Sequence, residues 1–230
     1  MNFINFGGSI FNNYIQVVNP ESNKIKEIYS GNVTKHYDLP ISHMFRKYKE
    51  KVFNDSSLKK GDKVLVYCCG TGLDFPEIEN KIGEEGHIMG VDFSREMLKK
   101  AQQRIEKHKW NNVELIEADV TEYALDNEEL FDVGICTLGL SIIPEYKTAY
   151  YSLVSKVKEG GEIIIGDMQL ASGRYARFNP FTIAMAKRFG GSYEGHQNSL
   201  EICDIMKTEL KEVTNREFFL KSYYYCIGTK

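Results

Sequence analysis

From residue 64 to residue 165, short apolar runs alternate with stretches whose apolar residues keep a helical period, and this alternation is what most constrains the fold. Val64–Tyr67, Ile88–Val91, Val113–Ile116, Phe131–Cys136 and Ile163–Ile165 read as strands, the last following a Gly160-Gly161 turn. Residues 73–82, Ser94–His108, and a stretch from Pro144 to about Lys158 read as helices. In the second of these Ser94 is placed to cap the helix, and Met97, Leu98, Ala101 and Ile105 share one face. Strands and helices in this rhythm build βαβ units on a parallel sheet, and runs apolar throughout suit strands covered on both faces. Lys211–Phe219 and Tyr223–Gly228 are extended runs around a short turn, a hairpin that closes the sheet. The expected fold is α/β, a Rossmann-like doubly wound seven-stranded sheet, parallel apart from an antiparallel C-terminal hairpin.

Ahead of the sheet, residues 1–60 predict a helical cap with helices at roughly 21–35 and 41–54. In the second, Ile41, Met44, Phe45, Tyr48 and Val52 recur at helical spacing behind Pro40. Residues 61–230 then form the ligand-binding domain, with a lid insertion at about 168–197. Within it, residues 171–193 carry four basic side chains and no acid among interleaved aromatic and aliphatic residues. That pattern fits a lid over an apolar or anionic substrate, with peripheral contact to a membrane surface as an extension of the same reading. The competing reading is an ordinary crossover helix with a solvated basic face; the lid is favoured because the insertion sits between strands five and six, over the expected pocket.

The chain has 230 residues, enough for a full core without cross-links, and its net charge of −3 offers no general attraction to nucleic acid. No run approaches the ~18 apolar residues of a membrane span, and the first residues lack the pattern of a secretory signal. Five cysteines, an odd number, read as reduced thiols, so the expectation is a cytoplasmic protein that binds no metal and has no nucleic-acid partner.

The first strand runs into Cys68-Cys69-Gly70-Thr71-Gly72 and then a helix, the arrangement with which doubly wound folds hold a nucleotide-like ligand. Asp92 ends the next strand, 22 residues after Gly70, where a carboxylate can accept both ribose hydroxyls of an adenosine. A dinucleotide would need a third glycine where this chain has Phe75, and its pyrophosphate would be repelled by Asp74. No Gly-Lys-Ser/Thr follows the turn, which excludes a Walker-type phosphate loop. S-adenosylmethionine carries no phosphate and bears a sulfonium and an ammonium, so Asp74 suits it. As neighbours leaving a strand, Cys68 and Cys69 point to opposite faces and cannot chelate one metal; small-residue packing is the favoured reading, with a reactive or redox thiol the lesser alternative.

Five stretches then follow in order: Val64-Leu-Val-Tyr-Cys-Cys-Gly-Thr-Gly72, Gly90-Val-Asp-Phe-Ser-Arg-Glu-Met-Leu98, Val113-Glu-Leu-Ile-Glu-Ala-Asp119, Phe131-Asp-Val-Gly-Ile-Cys-Thr137 and Lys158-Glu-Gly-Gly-Glu-Ile-Ile-Ile165. Together they resemble the successive motifs of class I S-adenosylmethionine-dependent methyltransferases, and the likeness covers about residues 37–230. The entry Tyr37-Asp38 resembles that of the branch acting on quinones, lipids and other small molecules. The resemblance implies S-adenosyl-L-methionine as cofactor, S-adenosyl-L-homocysteine as product, and in-line methyl transfer to a small organic or lipid-like acceptor. It places Gly70 and Gly72 against the methionine moiety and Asp92 on the ribose, and counts Tyr37, Cys69, Thr71 and Asp74 among the cofactor-binding residues. Phe93 and Met97 would pack beside the adenine, Asp119 and Val120 would bind its polar edge, and Thr137 and Leu138 would face the transferable methyl. The family's acid two residues before the first small residue of the glycine motif is Val66 here, and its usual glycine is Cys68. Asp74, the one acid on this loop, is the candidate to take over the missing charge.

Because the sulfonium is already activated, holding the nucleophile in line can supply most of the rate, and no side-chain base is obligatory. Tyr37, His43 and Tyr175 are the candidates for one. His196, in the lid segment, reads either as a site residue or as a core histidine, and Asp167, ending the fifth strand, as a ligand or a turn residue. Thr137-Leu-Gly-Leu-Ser141 lacks the Asn/Asp-Pro-Pro-Tyr of amino-methylating enzymes, and an apolar rim of Leu138, Leu140, Ile142 and Ile143 suits an organic acceptor. Two rival readings stand beside this one: a non-catalytic S-adenosylmethionine binder or partner subunit, and an NAD-type oxidoreductase.

Overall fold

The structure, a computed structural model, describes residues 25, 27–29, 38–124 and 130–230, with side chains 39–44 outside that description. Tyr37 lies outside it, as does the side chain of His43 and most of the helix expected at 21–35, of which residues 25 and 27–29 are helical.

Helix α1 (Asp38–Asp55) leads into β1 (Lys63–Tyr67), α2 (Phe75–Ile82), β2 (His87–Asp92), α3 (Arg95–His108), β3 (Val113–Glu117) and β4 (Phe131–Thr137). Then come α4 (Tyr146–Ser155), β5 (Val157–Met168), α5 (Asn179–Ala186), α6 (Tyr193–Glu209), β6 (Lys211–Phe218) and β7 (Tyr223–Thr229). The seven strands lie in the order β3-β2-β1-β4-β5-β7-β6, the first five parallel and β7 antiparallel to both β5 and β6. Chain order reverses between β1 and β4, and such a switch point opens a crevice at the carboxyl ends of the strands.

Period-two alternation gives each sheet face its own core. Val64, Val66, Ile135 and Ile164 turn to one side, with Phe53 of α1, Ile78 of α2 and Ile105 of α3. Leu65, Tyr67, Ile163 and Ile165 turn to the other, with Leu153 of α4 and Met206 of α6. Val66, where the family pattern has an acid, is 1% exposed in the first cluster, and its apolar side chain is what that position requires.

Local chemistry sets the helix starts. Ser94 caps α3 by accepting from the Met97 amide at 3.3 Å, and Pro76 sits in the first turn of α2, where its missing N–H costs nothing. One expectation needs correction. Gly160-Gly161 is no turn ahead of the fifth strand: β5 begins at Val157 and passes through both glycines. Phe131 pairs with Val157 and Val133 already with Glu162, so the strand absorbs the extra residues as an irregularity at its start. Among the described residues, no helix is long and apolar enough to cross a membrane.

Candidate active site

The crevice at the switch point holds a cavity of about 710 Å³, lined by Gly70, Asp92, Phe93, Met97, Asp119, Val120 and Leu138, all expected there from sequence. Asp92 anchors it. Its Oδ2 accepts from the Gly70 amide at 2.8 Å and its Oδ1 from the Ser94 amide at 2.9 Å, which fixes the carboxylate across the turn between β1 and α2. Each oxygen keeps a second lone pair for a hydroxyl donor. Burial pushes its carboxyl up to about 6, partly offset by those two amides. Gly70 has φ +54°, and a Cβ there would meet only the Cys68 carbonyl oxygen, at 4.0 Å; the absent side chain leaves room for a ligand beside the turn. Asp119 accepts from the amide and hydroxyl of Thr121 at 3.0 and 2.7 Å, which orients it at the far end.

Other expected ligands sit elsewhere. Cys69 packs in the core, where its Sγ lies 3.0 Å from the Cβ that Gly90 lacks. Cys68, its neighbour of opposite parity, lines the cavity instead, in a left-handed conformation at φ 51°. Contact with Cys136 and burial push the Cys68 thiol well up, so it stays protonated, and all five cysteines are free thiols. Gly72 answers a packing need, since a Cβ there would lie 2.6 Å from the Phe75 ring. Thr71 is held from outside the cavity: its hydroxyl donates to Asp38 at 2.5 Å, while Arg104 donates to the Thr71 carbonyl and to Asp38, both at 2.9 Å.

Asp74 lies away from the cavity lining, and its charge is matched within the chain. Lys49 of α1 places its ammonium 2.7 Å from Oδ1, off hydrogen-bond geometry, with both side chains nearly buried. The Thr137 hydroxyl donates to Oδ2 at 2.5 Å, so Thr137 too is turned away from the methyl-facing position expected for it. Tyr175 lies outside both this cavity and its neighbour, its hydroxyl accepting from Arg174 at 2.7 Å.

A second cavity of about 630 Å³ adjoins the first across a wall made by Tyr29, Leu138 and Ile142, which line both. Its surface is mostly apolar, with Phe45, Met168, Met185, Phe189 and Phe219 among its lining, and it is walled on one side by α5 of the segment expected as a lid. Asp167 and His196 are its ionisable groups besides Tyr29. Asp167 is spent on structure: Oδ1 accepts from the Ser141 hydroxyl at 2.6 Å and the Met168 amide at 2.7 Å, and Oδ2 from the Ser141 amide at 2.8 Å. Tyr29 was not singled out by sequence reasoning. Its hydroxyl donates to the Phe189 carbonyl at 2.9 Å, and its ring meets Phe93 edge-on. The spacing of Ile25, Ile28 and Tyr29 on one helical face is the signal that could have found it.

A mixed seven-stranded sheet with β7 reversed, a glycine turn after β1 and a buried acid ending β2 that grips that turn define a class I S-adenosylmethionine-dependent methyltransferase. The model of the ubiE/COQ5 methyltransferase family matches residues 17–178, and the chain belongs to that family. A demethylmenaquinone methyltransferase from a Geobacillus species is 30% identical over 175 residues, 70% of this chain and 73% of that protein. An O-methyltransferase family protein from Burkholderia thailandensis superposes with a TM-score of 0.69 at 15% identity, over 88% of this chain and 61% of that one. The magnesium protoporphyrin IX methyltransferase of Synechocystis, solved with bound S-adenosylmethionine, gives 0.63 at 13% identity, over 93% and 99%. The protein is thus an enzyme of methyl transfer with S-adenosylmethionine as its cofactor.

Proposed function

We propose that this enzyme methylates the ring of a reduced, lipid-tailed naphthoquinone in the cytoplasm. The observation that carries the reading is the second, apolar cavity sharing its Tyr29–Leu138–Ile142 wall with the first. Its mostly apolar lining, with Phe45, Phe189 and Phe219 among it, suits the flat faces of a fused bicyclic ring. The named relative, a demethylmenaquinone methyltransferase, supports an acceptor of that type. In this reading Gly70, Asp92, Phe93, Met97, Asp119, Val120 and Leu138 hold the cofactor, with Cys68 in place of Cys69, and the segment at 168–197 closes over the acceptor. The cofactor supplies a methyl group already activated on sulfur. The chain's own part is to hold the ring in line with that group and to keep water out, which suits an apolar chamber.

The test is incubation of the purified protein with S-adenosylmethionine and chemically reduced demethylmenaquinone, followed by mass spectrometry. The expected product is menaquinol, heavier than the acceptor by one CH2, since a methyl replaces a ring hydrogen. Cofactor binding without a methylated naphthoquinol would sink the reading.

A further inference from the structure

Among the described residues, His196 is the one ionisable group on the second cavity whose polar capacity is not committed. It sits in the first turn of α6, is completely buried, and lines the cavity together with Asp167 and Leu138. Its Nδ1 lies 2.7 Å from the Ser192 carbonyl oxygen, an acceptor only, so in the neutral ring the proton resides on Nδ1. Nε2 is then left as an unprotonated lone pair, and it has no hydrogen-bond partner among the described residues. A buried acceptor with nothing to accept costs free energy, and one carried by a side chain that lines a ligand cavity points to a donor on the ligand. The imidazole is also held rigidly. Ser192 caps α6 by accepting from the Gly195 amide at 2.9 Å, and a Cβ at Gly195 would lie 1.9 Å from the Ser141 carbonyl oxygen, so the helix start is pressed onto the loop after β4. That loop is fastened to Asp167 through Ser141, which fixes His196 relative to the wall facing the first cavity.

We infer that His196 Nε2 is the general base that accepts the hydroxyl proton of the acceptor, an inference that rests on the proposed function above. The acceptor O–H bond breaks and its proton passes to Nε2. The electron pair left on oxygen raises the nucleophilicity of the ring, whose carbon gains the methyl as the carbon–sulfur bond breaks with its electrons left on sulfur. The ring carbon then loses its hydrogen as a proton while oxygen regains one, so no oxidant or reductant is consumed and one proton is released. Burial lowers the imidazole's affinity for protons, which keeps the ring in its neutral, accepting form before the acceptor arrives.

The full chain is assayed with S-adenosylmethionine and reduced demethylmenaquinone bearing a short prenyl tail, with wild type set against H196N and H196A. The Asn amide can still donate toward the Ser192 carbonyl but carries no base at the Nε2 position. H196N is expected to keep cofactor affinity and acceptor KM within threefold of wild type while kcat falls about 10²–10⁴-fold, and added imidazole is expected to restore part of the activity of H196A. In wild type labelled with nitrogen-15, the Nε2 resonance is expected to move when the naphthoquinol is added without cofactor. A kcat for H196N within threefold of wild type, or an Nε2 resonance indifferent to the acceptor, overturns the assignment. A wild type that methylates no naphthoquinol overturns the proposed function and this assignment together, whereas turnover that H196N matches overturns only the role of His196. If H196N does not fold, the resonance measurement on wild type decides alone.

Discussion

Lys49 and Asp74 form an ion pair with 2.7 Å between ammonium and carboxylate, its side chains only 10% and 8% exposed, and it ties α1 to the start of α2. Removing one partner of a nearly buried pair strands the other charge, at a cost of about 3–5 kcal/mol. D74A is therefore expected to unfold at lower denaturant by an amount in that range, and K49M likewise. Since Asp74 faces Lys49 and Thr137 and not the cavity, D74A should leave S-adenosylmethionine affinity within threefold of wild type by calorimetry. A large loss of affinity in a still-folded D74A would return to Asp74 the charge role that the sequence suggested.

Asp92 predicts a pH dependence. Its carboxyl is pushed up to about 6 by burial, so the apoprotein protonates it as pH falls through that value. A protonated carboxyl has lost acceptor capacity for two ribose hydroxyls, so affinity for S-adenosylmethionine should hold above about pH 7 and weaken by up to tenfold per pH unit well below 6. By the same linkage, the stability that the protonated Asp92 carboxyl contributes to the apoprotein is fully present below the unfolded value near 3.9 and is lost as pH rises through about 6, above which the ionised group is a cost. Calorimetric titrations from pH 5 to 8 measure the first effect, and a D92A control should flatten the profile.

The difference between what local chemistry encodes and what packing decides is visible around this site. Gly70, the Asp92 strand end and the Ser94 cap were readable because each is set by its immediate neighbours: a glycine turn, a strand terminus, a helix start. Parity put Cys68 and Cys69 on opposite faces, but which of them meets the ligand depends on how β4 lies beside β1. Thr71 and Thr137 have the chemistry of ligands, yet their hydroxyls go to Asp38 and Asp74, partners 33 and 63 residues away in sequence. His196 was one scattered histidine among five until the fold brought α6 against the loop after β4.

Gly139 is predicted to be intolerant of a side chain. A Cβ there would lie 2.7 Å from the Cys68 Cβ and 2.9 Å from the sulfurs of both Cys68 and Cys136, and the Cys68 Cβ is not the free end of a flexible chain. G139A must push Cys68 toward the cofactor cavity it lines. The expected outcome is a destabilisation of about 1–3 kcal/mol, read by denaturation, together with at least tenfold weaker S-adenosylmethionine binding.

The two cavities should be separable by mutation. Met185 of α5 lines only the second, and a larger ring in its place narrows that chamber alone. M185W is expected to raise the acceptor KM about tenfold while S-adenosylmethionine binding measured without acceptor stays at the wild-type value. Equal damage to both would mean that α5 does not wall off the acceptor.

The wall shared by Tyr29, Leu138 and Ile142 also bears on inhibition. Leu138 holds a left-handed conformation at φ 55° and donates its amide to the Gly166 carbonyl at 2.7 Å, so the backbone at this partition is pinned and cannot readily swing aside. A hybrid molecule joining an adenosyl group to a naphthol would have to thread that partition, and its tether length would be dictated by three side chains. Selective inhibitors of this enzyme can therefore draw discrimination from the thickness of a partition as well as from either chamber.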